Sequence, residues 1–164
     1  MKALILQQAN YNVWANKRIA DLLMKNPSLL DVEVKSSFPS LKKTVHHIWD
    51  AELIWYGRMQ GKNLPWPPTE HLFKNPAIDK FVETSQEFAR FVENADDYFF
   101  NGTTSYRNSK GVNFENPNSG IVMHCLNHST YHRGQIVTIL RELGVTEIPS
   151  TDLIAYLRTL SFNQ

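Results

Sequence analysis

The twelve residues His124–Gln135, HCLNHSTYHRGQ, carry three of the chain's six histidines at intervals of four. An interval of four returns to nearly the same side of an α-helix, so the segment predicts a helix with imidazoles stacked along one face. The period extends outward in both directions, from PNS at 117–119 to Leu143. With His128 as origin, Ile121, Cys125, His132, Ile136, Ile139 and Leu143 share one narrow sector at roughly 100° per residue. His124 lies on the other margin of that sector and Gln135 lies close to His128. Gly144 stops the helix, with Arg141 in the last turn as a helix C-terminus prefers.

Three further segments carry the same period. The first runs from about Leu4 to Met24, with Tyr11, Trp14, Arg18 and Leu22 on one face, and Pro27 ends it. The second follows the N-cap Ser40 as LKKTVHHIWDAELIWYGRMQG and stops at Gly61. The third is expected from Ala77 to Phe99, with Phe81, Phe88, Val92 and Phe99 on its apolar side. Between the second and third, KNLPWPPTEHLFKNP contains four prolines and reads as a loop that crosses the surface, with Trp66 within it covering a neighbour. Before the histidine helix, NGTTSYRNSKGVNFENPNSG predicts a short hairpin around NSKG or an ordered loop. A final helix, TDLIAYLRTL, follows Pro149 with Ser150 or Thr151 as its cap. The expected fold is all-α: a four-helix bundle, a short C-terminal accessory helix and a small hairpin or loop, in one domain spanning 1–164.

Imidazoles within an apolar stripe need a partner, because burying an unbonded polar ring is unfavourable. Two accounts are open at this level. His128 and His132, one turn apart, present ring nitrogens to one ion from a single face, or each bonds to a neighbouring protein group. An ion requires a ligand from a second helix, and His47 is the better placed of the adjacent pair His46 and His47. It shares a side with Thr44, Ala51 and Ile54, whose modest size leaves room, whereas His46 points a quarter turn away. The competing account makes both surface histidines. Glu52 falls on the apolar stripe of the same helix and needs a partner, Arg133 or Arg18, unless it orients a ligand or serves as a base. Cys125 reads as a small buried hydrophobe before a ligand or reactive thiol, and His71 as a surface residue.

Composition narrows the functional classes. A formal net charge of +1, with basic residues scattered, lacks the footprint that nucleic-acid phosphates require. No apolar run approaches the ~20 residues that span a bilayer, and MKALILQQANYNVW lacks a small-residue cleavage site. The single cysteine forbids an internal disulfide and agrees with a reducing, cytoplasmic location.

HIWDAELIW at 47–55, HCLNHSTYHRGQIVTILRELG at 124–144, YNVWANKRI at 11–19 and the closing IPSTDLIAYL at 148–157 together resemble the DinB-like, or YfiT-like, proteins of bacteria. NHSTYHRGQ is the specific part. The resemblance implies a bundle of unusual connectivity, often a homodimer, with a three-histidine divalent metal site at His47, His128 and His132. It also implies thiol-dependent transferases and isomerases as related activities, with a low-molecular-weight thiol as cosubstrate. The expectation is therefore an enzyme that uses Zn²⁺ or Ni²⁺ to activate a thiol or water toward a small-molecule substrate. Glu52, Gln135 and Arg133 are the candidate catalytic or supporting side chains, and His124 stands at the site's edge. The alternative is a non-catalytic dimeric stress-related bundle with a structural metal or a ligand-binding role.

Overall fold

The computed structural model describes residues 1–72, 77–108 and 110–161. Helix α1 (Lys2–Lys25) ends at Asn26, ahead of a single 3-10 turn at Pro27–Leu29. The Ser40 hydroxyl caps α2 (Leu41–Met59) by accepting from the Lys43 amide at 3.2 Å, a contact worth about 1 kcal/mol. Gly61 closes α2 at φ +72, a left-handed conformation that lets the Lys62 amide donate back to the Gly57 carbonyl at 2.9 Å. The proline-rich segment is not loop throughout. Pro68–Leu72 forms one short helix, α3, and the Thr69 amide donates to Asp50 Oδ1 at 2.8 Å, which ties it to α2. His71 is exposed on it, and the part of the expected loop at 73–76 lies outside the described residues.

The helix expected from Ala77 to Phe99 is broken. Helix α4 (Ile78–Asn94) ends where Ala95 turns extended at ψ 139, and Asp96 caps a separate short helix, α5 (Asp97–Asn101), by accepting from the Phe99 amide at 2.8 Å. An Asp side chain offers the backbone an alternative to continued helix, so the chain restarts in a new direction. Strands β1 (Thr103–Arg107) and β2 (Asn113–Pro117) then pair antiparallel, Thr103 facing Pro117 and Arg107 facing Asn113. The hairpin expectation holds, although Ser109 in its NSKG tip lies outside the described residues. Helix α6 (Asn118–Glu142) is followed by Gly144 at φ +86, and Val145 donates back to Leu140 at 2.9 Å. The last helix, α7 (Leu153–Ser161), starts later than its expected cap. The Asp152 carbonyl accepts from the Ala155 and Tyr156 amides, while Ser150 Oγ accepts from the Asp152 amide.

The four long helices pack side by side, α1 against α4 and α6, and α2 against α6 and α4. The buried face of α1 is Ile5, Ala9, Asn12, Asn16, Ile19 and Leu23. The face expected from Tyr11, Trp14 and Arg18 instead receives the C-terminal segment. Tyr11 Oη donates to the Thr151 carbonyl at 2.7 Å, Arg18 Nε to the Ser150 carbonyl at 3.1 Å, and Trp14 packs on Tyr156 with ring centroids 5.7 Å apart.

Two apolar clusters fill the interior. One gathers Ile19, Leu23, Ile48, Trp49, Phe81 and Ile136 among others, and the second includes Ile5, Ala9, Phe88, Val92, Cys125 and Leu126. On each long helix a polar residue lies between the members of the two clusters. Asn12 and Asn16 of α1, Glu52 of α2, Ser85 of α4 and Arg133 of α6 are all at least nine-tenths buried and close a ring of hydrogen bonds. Arg133 Nη1 donates to Asn12 Oδ1 (2.6 Å) and Asn16 Oδ1 (2.7 Å). Asn12 Nδ2 donates to Glu52 Oε1 (3.1 Å), Ser85 Oγ donates to Glu52 Oε2 (2.7 Å), and Asn16 Nδ2 donates to Ser85 Oγ (2.9 Å). Both side chains are thereby hydrogen-bonded away from solvent, while among the described residues Arg133 Nε has no partner.

Candidate metal centre

Helix α2 supplies His47, and α6 supplies His128 and His132 one turn apart. Their ring centroids stand 4.8 Å (47 to 128), 4.6 Å (47 to 132) and 4.4 Å (128 to 132) from one another, a nearly equilateral triangle. One ligand atom from each lies within 4.8 Å of the others. His47 Nε2 and His128 Nε2 are 3.0 Å apart. Two nitrogens on a tetrahedral zinc, each at about 2.05 Å from it, stand about 3.3 Å apart, so this donor set fits a divalent ion with little adjustment.

The surroundings orient the rings. Gln135 Oε1 lies 2.8 Å from His132 Nδ1 and accepts its N–H, which leaves Nε2 of that ring as the lone-pair nitrogen. Gln135 is itself steadied by donating Nε2 to Ser37 Oγ at 3.1 Å. Phe38 stacks on His47 at 4.3 Å and meets His132 edge-on at 5.6 Å. Burial, with the neighbouring His132, pushes the His47 pKa down to about 4, and burial, followed by His132, His47 and His124, pushes that of His128 down to about 3. Both rings are neutral at pH 7, the state a metal requires. Among the described residues, buried His128 Nδ1 has no protein partner. The close approach of the Nε2 atoms of His47 and His128, with all three rings inside one 4.8 Å group, is what fits an ion.

The remaining candidates divide. His46 is 8% exposed, which removes the surface reading for it, and it packs edge-on to Trp49, outside the three-ring group. Glu52 and Arg133 belong to the polar ring between the apolar clusters, and neither Glu52 oxygen bonds a histidine. Its partner is Arg133 through Asn12; Arg18 is engaged elsewhere. Burial raises the Glu52 pKa to about 7, against the opposing pull of Ser85, Arg133 and Asn12. Cys125 is buried, its thiol pKa pushed up by burial, and it packs in the second apolar cluster. His124 is exposed and meets Trp55 edge-on at 5.2 Å.

His47 and His128 also line a cavity of about 410 Å³ bounded by α2, α6, the proline-rich segment and the hairpin. Its wall includes Trp55, Arg58, Trp66, Arg107 and His124. Trp66, half exposed, faces His47 edge-on at 6.2 Å. Sequence reasoning missed Ser37, Phe38, Arg58 and Arg107. For Arg58 a signal existed, since it follows His47 at an interval of eleven, on the same face of α2; Ser37, Phe38 and Arg107 reach the site only through the folded loop and hairpin.

The molecule is mostly helical, and three of its imidazoles converge beside a cavity closely enough that they could hold a metal ion. Residues 1–160 match the sequence model of the DinB family, and the chain belongs to that family. It is 32% identical over 158 residues to Protein DinB of Bacillus subtilis, covering 90% of each chain. Two solved structures share the fold. A DinB-like protein of Bacillus cereus superimposes with a TM-score of 0.64 at 19% identity, over 89% of this chain and 94% of that one. A DinB-like protein of Bacillus subtilis gives 0.61 at 12% identity, over 92% and 96%. No described helix is long and apolar enough to cross a membrane.

Proposed function

We propose that this protein is a metal-dependent enzyme in which His47, His128 and His132 hold one divalent ion, Zn²⁺ or Ni²⁺, and a low-molecular-weight thiol is transferred to an electrophilic small molecule. The observation that carries the reading is the donor count beside a cavity. Among the described residues the group contains three histidines and no fourth protein ligand, and two of the three line the 410 Å³ space. Structural zinc sites are closed by four protein ligands, whereas catalytic ones keep a position open, so the non-catalytic alternative is the weaker account. When bound, such an ion lowers the pKa of a thiol or water and so provides a nucleophile at neutral pH.

The chain's own residues supply the rest. Gln135 holds His132 in one tautomer, Phe38 fixes the plane of His47, and Trp55 and Trp66 narrow the approach to the rings. In the transfer, the thiolate sulfur bonds to an electrophilic carbon as the leaving group departs with the bonding pair. A homodimer in the cytoplasm remains part of the proposal, and sedimentation of the purified protein tests the dimer.

The test begins with elemental analysis of untagged protein beside the His47→Ala, His128→Ala and His132→Ala variants. Near one divalent ion per chain, lost in each variant, supports the site. Thiol transfer to monobromobimane, with release of bromide, then reads activity. No ion, even after incubation with Zn²⁺ or Ni²⁺, overturns the proposal.

A further inference from the structure

The cavity has a second end. His47, Ala51, Ile54 and Arg58 of α2 all face it, and Arg58 stands eleven residues beyond His47, three turns or about 16 Å along the helix axis. There the Arg58 guanidinium sits in a right-angled corner of two aromatic rings. Trp55 and Tyr106 meet at 82° with centroids 4.9 Å apart, and the guanidinium carbon lies 4.5 Å from each.

Its polar groups are largely free. Of the five N–H donors of a guanidinium, one reaches the Arg107 carbonyl at 3.3 Å, and among the described residues no carboxylate pairs with Arg58. The second arginine, Arg107, lines the same space, and among the described residues no acidic one does. Two rings compensate part of the desolvation of a half-buried cation, and apart from the Arg107 carbonyl its donors stay open to solvent and to a ligand. In a chain of net charge +1, a cavity walled by two arginines and no carboxylate is a local choice rather than a general one.

We propose that Arg58 is the anchor for an oxyanion group on the substrate: the cavity takes an elongated small molecule with a carboxylate or phosphate at the Arg58 end. Its other end reaches toward the three histidines. This inference rests on the reading of the cavity as the substrate site of the metal centre. Arg58 is a specificity-determining residue here, and the competing role is purely structural, with Arg58 joining α2 to the hairpin through Tyr106 and the Arg107 carbonyl.

Calorimetric titration of metal-free protein separates the two. The probes are 4-phenylbutyrate, phenylpropyl phosphate and the neutral 4-phenylbutyramide, each carrying an aromatic ring for Trp55 and Trp66. An anchor binds at least one anion about tenfold or more tighter than the amide, and added salt reduces the difference. The two anions distinguish a carboxylate from a phosphate source. Arg58→Met, which keeps the aliphatic stem, removes the preference, whereas Arg58→Lys restores part of it. Equal binding of acid and amide, no anion binding at millimolar concentration, or an unchanged preference in folded Arg58→Met overturns the proposal. Should Arg58→Met fail to fold, the wild-type comparison of acid with amide decides alone. Metal stoichiometry is measured separately. Anion binding without metal binding sinks the metal reading and leaves the anchor, while metal binding without anion preference does the reverse.

Discussion

Gln135 is the side chain on which the orientation of His132 turns. Its carbonyl accepts from Nδ1–H and so leaves Nε2 of that ring as the lone-pair nitrogen. Gln135→Ala should weaken zinc binding about ten- to a hundredfold, by titration, without loss of helical circular dichroism; unchanged affinity would remove Gln135 from the site. His128→Ala should abolish stoichiometric binding and leave a folded chain, whereas His46→Ala should keep the ion, because the His46 ring lies against Trp49 instead of the triangle. The pair on α6 was legible because one helix carries both residues at a repeating interval. His47 over His46 was legible from neighbour size on α2. The ring partners Ser37 and Phe38 were not, since they precede α2 in irregular chain that no periodicity places.

At the scale of elements, the polar ring joins four helices that share no local sequence. Arg133→Ala should cost about 3–5 kcal/mol in urea unfolding, because it strands the buried Asn12 and Asn16 carbonyl oxygens and removes the cation nearest Glu52. The Glu52 pKa, near 7 in the folded protein and about 4.5 when exposed, sets a direction for pH. The folded state binds the extra proton between these values, so the contribution from Glu52 is fully present below about pH 4.5 and is lost as pH rises through 7. The loss amounts to roughly 3 kcal/mol. The depressed histidines act in the opposite direction, so the test compares wild type with Glu52→Gln at pH 5 and pH 8. The variant should lack this downward component, and parallel pH profiles would refute it. Helix existence was legible in the spacing of apolar residues. The inward face of α1 was not, because Asn12 and Asn16 look like surface residues until Glu52, Ser85 and Arg133 arrive from other helices to bond them. The break at Ala95 was signalled by Asp96, a capping residue within an apolar period that otherwise continues to Phe99.

For the whole molecule, two apolar clusters and the polar ring join the four long helices without calling on an ion, so the fold should survive without one at the three histidines. Chelation should leave far-ultraviolet circular dichroism intact. Adding zinc at a hundred times its Kd should stabilise by about 2.7 kcal/mol, a Tm rise of roughly 5–11 °C for a chain of this size. Unfolding on chelation would make the ion structural. The broad fold class was readable from the sequence alone, but the cavity was not: its walls come from α2, α6, the proline-rich segment and the hairpin, which meet only after folding.

The hydrogen-bond ring has a consequence for inheritance. Each of its five members satisfies a donor or acceptor on two others, so a single replacement strands groups on helices far away in the chain. Homologues of this protein should therefore keep Asn12, Asn16, Glu52, Ser85 and Arg133 as a set or exchange them together for apolar residues. Mutational paths between those two states pass through intermediates less stable than either end. The ring and the three-histidine group share no side chain, so substitutions in one leave the hydrogen bonds of the other in place.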